Sequence, residues 1–210
     1  MSLAMRKLFA LMLFAVSSAV IAGNQQYEPL AASVRAALSA AIADKVAPIP
    51  QFASVPDKLD WVNWQADMSG RLAKRIPDRD TRLDFLTTVY YEAKRAGLDP
   101  QMVLGLIQVE SGFKKYAVSS VGARGYMQVM PFWKGLIGTE RDNLFSLRTN
   151  LRYGCTILRH YLDIEKGDLY RALGRYNGSL GKPEYPNMVR AAWHSQWSYE
   201  KPARLAQAER

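Results

Sequence analysis

The chain has 210 residues, 49% hydrophobic and 22% charged, which fits one globular domain with a real core and a small extension. Its net charge of +9 favours an anionic partner such as a wall polymer or a membrane surface, and a single cysteine excludes an internal disulfide. Strand signals are scarce and apolar residues recur mainly at helical spacing, so an all-α fold is expected.

Met5-Arg6-Lys7 is a basic start, Leu8 to Val20 is an apolar run, and Val20-Ile21-Ala22 offers small residues for cleavage. This is a signal-peptide pattern over residues 1–23, with cleavage after Ala22 or Gly23. The run is short for a membrane-spanning helix, although an uncleaved anchor is the other reading. Export places the protein in the periplasm and argues against nucleic acid as a partner. Without Arg6 and Lys7 the charge is still +7.

Residues 24–77 read as an N-terminal helical extension. Leu30, Val34, Leu38, Ala41, Ile42 and Val46 mark a first helix, and Pro48, Pro50 and Pro56 mark a linker. Trp61, Trp64, Met68, Leu72 and Ile76 form one stripe of a second helix over 57–76, taken as core.

The main domain is expected over 78–200. A helix opens at Pro77-Asp78 with acids first and closes with Lys94, Arg95 and Gly97, the order the helix dipole favours. Asp99-Pro100 starts another, with Asp as N-cap and Pro at the first helical position. Met102, Val103, Leu104, Leu106, Ile107 and Val109 make it apolar nearly all round, the mark of a central helix. A long helix over 149–166 points Leu151, Cys155, Leu158, Tyr161 and Leu162 inward, and its interior Gly154 signals close helix packing. A short helix carries Tyr176 and stops at Asn177-Gly178, and a last one covers 185–197.

At the end of the central apolar run stands one acid, Glu110. Ser111 follows, then Ser119 and the turn Gly122-Ala123-Arg124-Gly125, then Met127 and Gln128. An acid set in an apolar wall and faced by a tight polar loop holds its proton near neutral pH. His160 and His194 stand alone and no HExxH occurs, so no metal or cofactor is expected.

These residues resemble a known family. Glu110-Ser111-Gly112-Phe113, then Ala117-Val118-Ser119, then the run from Gly122 to Pro131, then Tyr176-Asn177, resemble the lytic murein transglycosylases with the SLT catalytic domain, relatives of goose-type lysozymes. Asn150-Leu151-Arg152-Tyr153-Gly154 resembles the helix start between the later motifs. The resemblance covers roughly residues 78–197 and leaves the N-terminal extension outside. It departs at Gly174, where the family has Ala, and at Gly178-Ser179, where the family has Ala-Gly.

The resemblance implies a lysozyme-like helical domain that cleaves peptidoglycan between N-acetylmuramic acid and N-acetylglucosamine, leaving 1,6-anhydro ends. It implies Glu110 as the catalytic acid and base. Ser111 would orient Glu110 and the turn. Ser119, Gly122, Met127, Gln128, Tyr176 and Asn177 would line the sugar subsites, with Tyr176 bonded to an N-acetyl group or to Glu110. Glycan strands are then the partner and a monomer is expected, while the sequence names no partner protein. Two other readings stand: a lysozyme-like hydrolase that admits water, and a non-catalytic peptidoglycan-binding envelope protein.

Overall fold

The computed structural model describes residues 25–43 and 48–201. The expected signal peptide, residues 1–23, lies outside the described residues. Within them the chain is all-α, and its extended pairing is limited to the isolated bridges Val118–Arg124 and Arg124–Val129. No described helix is long and apolar enough to cross a membrane.

The N-terminal extension contributes α1 (Ala32–Ala43) and α2 (Val55–Leu72). α1 has no fully buried residue and rests Leu38 and Ile42 on the core from outside. Pro56 is not part of the linker: it sits in the first turn of α2, where a missing N–H costs nothing. Ser54 caps that turn, its hydroxyl accepting from the Asp57 N–H at 3.2 Å. Trp64, Met68 and Leu72 of the α2 stripe are buried in the same apolar cluster as the rest of the chain.

Next come α3 (Arg79–Arg95) and α4 (Pro100–Ser111), the second capped by Asp99 as expected and the first by Asp78 at the helix start the sequence marks. α4 is the central helix. Met102, Val103, Leu104, Leu106 and Ile107 are at most 2% exposed, and burial of each contributes about 1.5–3 kcal/mol. α4 ends where Gly112 takes a left-handed conformation, φ 57°.

The chain then runs through the Gly-rich turn into α5 (Phe132–Ile137) and α6 (Leu147–Ile164). Cys155 lies on the inner face of α6 at 1% exposure. α6 is joined to α3 by a buried ion pair in which Arg152 Nη2 and Nε reach the Glu92 carboxylate at 2.7 and 3.1 Å. α7 (Leu169–Asn177) is capped by Asp168 and closed by left-handed Gly178.

The expected last helix divides in two. α8 (Glu184–Ala192) continues into a π-helical turn, Trp193–Trp197. Close packing accompanies the change: a Cβ on Gly105 of α4 would meet the Trp193 backbone nitrogen at 2.9 Å. The wider turn brings Trp197 inward, where its indole N–H donates to Gln108 Oε1 at 2.8 Å. Arg71 of α2 holds the same turn through the carbonyls of Gln196 and Ser198. α4 is thus enclosed by α3, α8 and the π-helical turn, with its C-terminal end facing the Gly-rich turn.

Candidate active site

Glu110 stands in the last turn of α4 at 5% exposure. Its environment follows from sequence position. The apolar run before it puts it inside the core, and the helix C-terminus adds partial negative charge rather than relief. One side chain answers it: Tyr185, in the first turn of α8, donates its phenolic O–H to Glu110 Oε1. The other oxygen, Oε2, is buried without a hydrogen-bond partner. Burial pushes the Glu110 pKa up to about 8 against the opposing pull of the Tyr185 hydrogen bond. The carboxyl is therefore mostly protonated at neutral pH.

The Gly-rich turn forms the facing wall. Gly125 has φ 76°, and a Cβ there would lie 2.5 Å from both Asn150 Nδ2 and the Leu144 carbonyl oxygen. Asn150, at the start of α6, pins the turn. Its Oδ1 accepts from the Met127 N–H at 2.8 Å, and its Nδ2 donates to the carbonyls of Arg124 and Leu144, each at 2.8 Å. Gly154, one turn further, lets Met127 lie against α6: a Cβ there would sit 2.3 Å from Met127 Sδ. The close packing expected of Gly154 is thus packing of α6 on the turn.

The residues singled out from sequence meet here in different ways. Ser111 donates its hydroxyl to the Tyr126 carbonyl at 2.8 Å, tying the end of α4 to the turn. Gln128 adopts φ 48° and folds its side chain inward, where Nε2 donates to the carbonyls of Gly125 and Ala117. Met127 is fully buried, so its backbone is its contribution. Ser119 and Gly122 act inside the turn: Ser119 Oγ accepts from the Ala123 N–H, and the Gly122 N–H donates to the Ser119 carbonyl.

Tyr176 of α7 is fully buried, and its O–H donates to the Met127 carbonyl at 2.7 Å rather than to Glu110. Burial holds its phenol well above the ordinary range, with the Glu110 charge adding to the effect. Asn177 donates to Ser179 Oγ at 3.1 Å, while its Oδ1 is buried and unpartnered. Ser179 is one of the departures from the family pattern, and here it accepts from the Asn177 side-chain amide. Gly174, the other, has the Leu180 Cα 3.3 Å from where its Cβ would be. The segment after α7 folds back over it.

Sequence reasoning missed Tyr185, which lies 75 residues from Glu110 with no spacing to link them. It also missed Gln25. That side chain is 4% exposed, and its Oε1 accepts from Trp133 Nε1–H at 2.9 Å and from the Met130 N–H at 3.4 Å. Gln25 also approaches the Tyr176 phenol and opposes the rise in its pKa, yet Gln25 Nε2 makes no hydrogen bond.

An acid withdrawn from water, a single phenol donor and a pinned Gly-rich wall are joined over residues that match a known domain. Residues 88–187 match the Transglycosylase SLT domain. This stretch is an SLT domain. It contains Glu110, the turn, Asn150, Tyr176, Asn177 and Tyr185, and it leaves Gln25 and α2 outside. Similar proteins include the "Transglycosylase" of Enterobacteria phage PRD1, 32% identical over 103 residues, covering 49% of this chain and 38% of the relative. The "Membrane-bound lytic murein transglycosylase C" of Glaesserella parasuis serovar 5 is 35% identical over 113 residues, covering 46% of this chain and 31% of the relative. The protein of that name in Actinobacillus pleuropneumoniae serotype 5b is 49% identical over 47 residues, covering 22% of this chain and 13% of the relative. The alignments thus span well under half the length of each of these relatives.

Proposed function

We propose that the chain is a peptidoglycan lytic transglycosylase with Glu110 as its one catalytic carboxyl group. The observation that carries this reading is the isolation of Glu110. Most glycoside hydrolases set two carboxyl groups across the scissile bond. Among the described residues only one other acid, Glu92, is buried, and it is held by Arg152. A single acid with its pKa near 8 suits a reaction in which one group gives a proton and then takes one back.

In this reading Glu110 donates its proton to the glycosidic oxygen as the bond to the muramic C1 breaks. The sugar's own N-acetyl carbonyl stabilises the positive charge that develops at C1. The Glu110 carboxylate then accepts the proton of the muramic 6-hydroxyl while that oxygen bonds to C1, closing the 1,6-anhydro ring. Attack within one ring gains from proximity, and a dry site limits competition from water. Tyr185 holds the carboxyl in place through both steps and stabilises its ionised form between them. The names of the PRD1 and Glaesserella relatives, transglycosylase and lytic murein transglycosylase, support the same reaction.

Export by the N-terminal basic-apolar segment would place the enzyme in the periplasm, at the wall. The charge of +7 that remains without Arg6 and Lys7 suits retention on an anionic polymer. Binding to sacculi is then expected to weaken as salt rises.

The deciding test is mass analysis of the soluble products from purified sacculi. Muropeptides lighter by one water than the reducing form are expected from the wild type and are expected to be absent with Glu110→Gln. Reducing-end products would make the protein a hydrolase. Binding without products from either form would make it a wall-binding protein.

A further inference from the structure

The segment from Gln25 to Leu30 is an extended arm that crosses from the Gly-rich wall to α7. At one end Gln25 enters the protein beside Met130, Trp133 and Tyr176. Three residues on, Glu28 pairs with Arg175 of α7 at 3.0 Å. Between them Tyr27 rests edge-on against Phe132 with ring centres 5.8 Å apart, while remaining 61% exposed. The arm therefore joins the segment after the Gly-rich turn to α7, on either side of Tyr176, the phenol whose environment the Glu110 charge also reaches.

The chemistry of the buried end is specific. Two N–H donors, one from an indole and one from the backbone, converge on a single carbonyl oxygen. The group that fills this slot is a planar carboxamide, the same unit that an N-acetylated sugar presents. A long polar side chain enters such a place at a loss of rotamer freedom and hydration, so the slot must supply compensating donors. Compensation is incomplete, because Gln25 Nε2 is left without a partner. Beyond Gln25 the arm is tied by an exposed ring contact and a partly exposed ion pair, neither of which holds strongly, and by Leu30 resting partly buried on the core at its far end.

We infer that the arm, residues 25–30, is an intramolecular occupant of the glycan cleft, with Gln25 in an acetamido slot that a sugar must empty before Glu110 can act. This rests on the wall-cleaving reading above. The arm lies outside the SLT match, so it is a feature of this chain added to the domain. Binding to a cleft that is open only part of the time is weakened in proportion to the open fraction.

The test compares the wild type with Gln25→Ala, which empties the slot, and with Glu28→Lys, which turns the surface tie into a repulsion. Each protein is assayed for initial release of soluble products over a range of sacculus concentrations. Each is also titrated with tri-N-acetylchitotriose by calorimetry. Both variants are expected to show a half-saturating concentration lower by about three- to tenfold, an unchanged maximal rate, and trisaccharide binding tighter by the same factor. A purely structural arm would instead lower the maximal rate and the melting temperature together. Wild-type lysis with half-saturation and trisaccharide affinity unchanged in both variants would overturn the occupancy of the cleft and leave the enzyme reading intact. Absence of lysis and of trisaccharide binding in all three proteins would overturn both. If Gln25→Ala fails to fold, the surface variant Glu28→Lys decides alone.

Discussion

Glu92 and Glu110 lie on the neighbouring helices α3 and α4, at 1% and 5% exposure. Arg152 reaches Glu92 through two of its nitrogens, with Arg95 Nε 3.7 Å away, so the charge of Glu92 is answered inside the fold. Glu110 has only the Tyr185 phenol and one free oxygen. The first carboxylate is a joint between α3 and α6, while the second is a proton held in reserve. Burial alone does not tell them apart. What separates them is whether a cation came into the core with the acid.

The comparison predicts opposite outcomes for the two acids. Glu110→Gln is expected to lower wall cleavage by about a thousandfold or more, the loss of both general acid and general base. The same change is expected to stabilise the fold. The folded-state pKa of about 8 lies above the unfolded value of 4.5, so wild-type stability falls as pH rises through that window. At pH 7 the variant should be more stable by on the order of 3 kcal/mol, an advantage that disappears below about pH 4.5. Urea titrations at pH 4 and pH 7 check it, and a variant less stable than wild type at pH 7 would break the comparison.

Glu92→Ala is expected to do the reverse. Removing the buried carboxylate that Arg152 grips should cost about 3–5 kcal/mol. Replacing both partners with apolar residues, Glu92→Leu with Arg152→Met, should recover most of it. The ratio of activity to folded protein should stay near wild type, which thermal unfolding and product release together measure.

Asn150→Ala removes two hydrogen bonds to the turn and a third to the Leu144 carbonyl, and is expected to cost about 2–4 kcal/mol, with activity falling as the wall loosens. Amide exchange at Met127 reports that loosening directly. The smallest effect belongs to Tyr185→Phe. It removes the group that favours ionised Glu110, so the alkaline limb of the pH–rate profile should move to higher pH. The rate should fall about tenfold, the equivalent of one hydrogen bond of about 1.4 kcal/mol. An unmoved alkaline limb would detach that limb from Glu110.

Much of this arrangement was legible from the sequence because it is local. Asp78, Asp99 and Asp168 cap the helices they precede, and the all-round apolar run of α4 marks the centre. Glu110 is marked out by its place at the end of that run together with the serines and the Gly-rich turn that follow it. Contacts that join distant segments left no such mark. Tyr185 looks like any aromatic in a helix start until α8 packs across α4. Gln25 stands in a polar stretch ahead of α1, with nothing to show that its amide is buried. Pro56 was misplaced for a related reason: a proline breaks a helix or begins one, and only the Ser54 cap decides which. The π-helical turn followed from no periodicity; it lies where Trp193 packs closely on Gly105, a contact between distant segments.

Cys155 has a practical consequence. Its thiol is 1% exposed on the inner face of α6, and burial pushes its pKa upward, so it presents almost no thiolate to a reagent in the folded state. It is also the chain's single cysteine. Covalent labelling at this position therefore counts only molecules that have opened far enough to release α6. The protein carries a built-in clock for its own unfolding, readable while it sits on an insoluble wall where optical melting curves cannot be recorded.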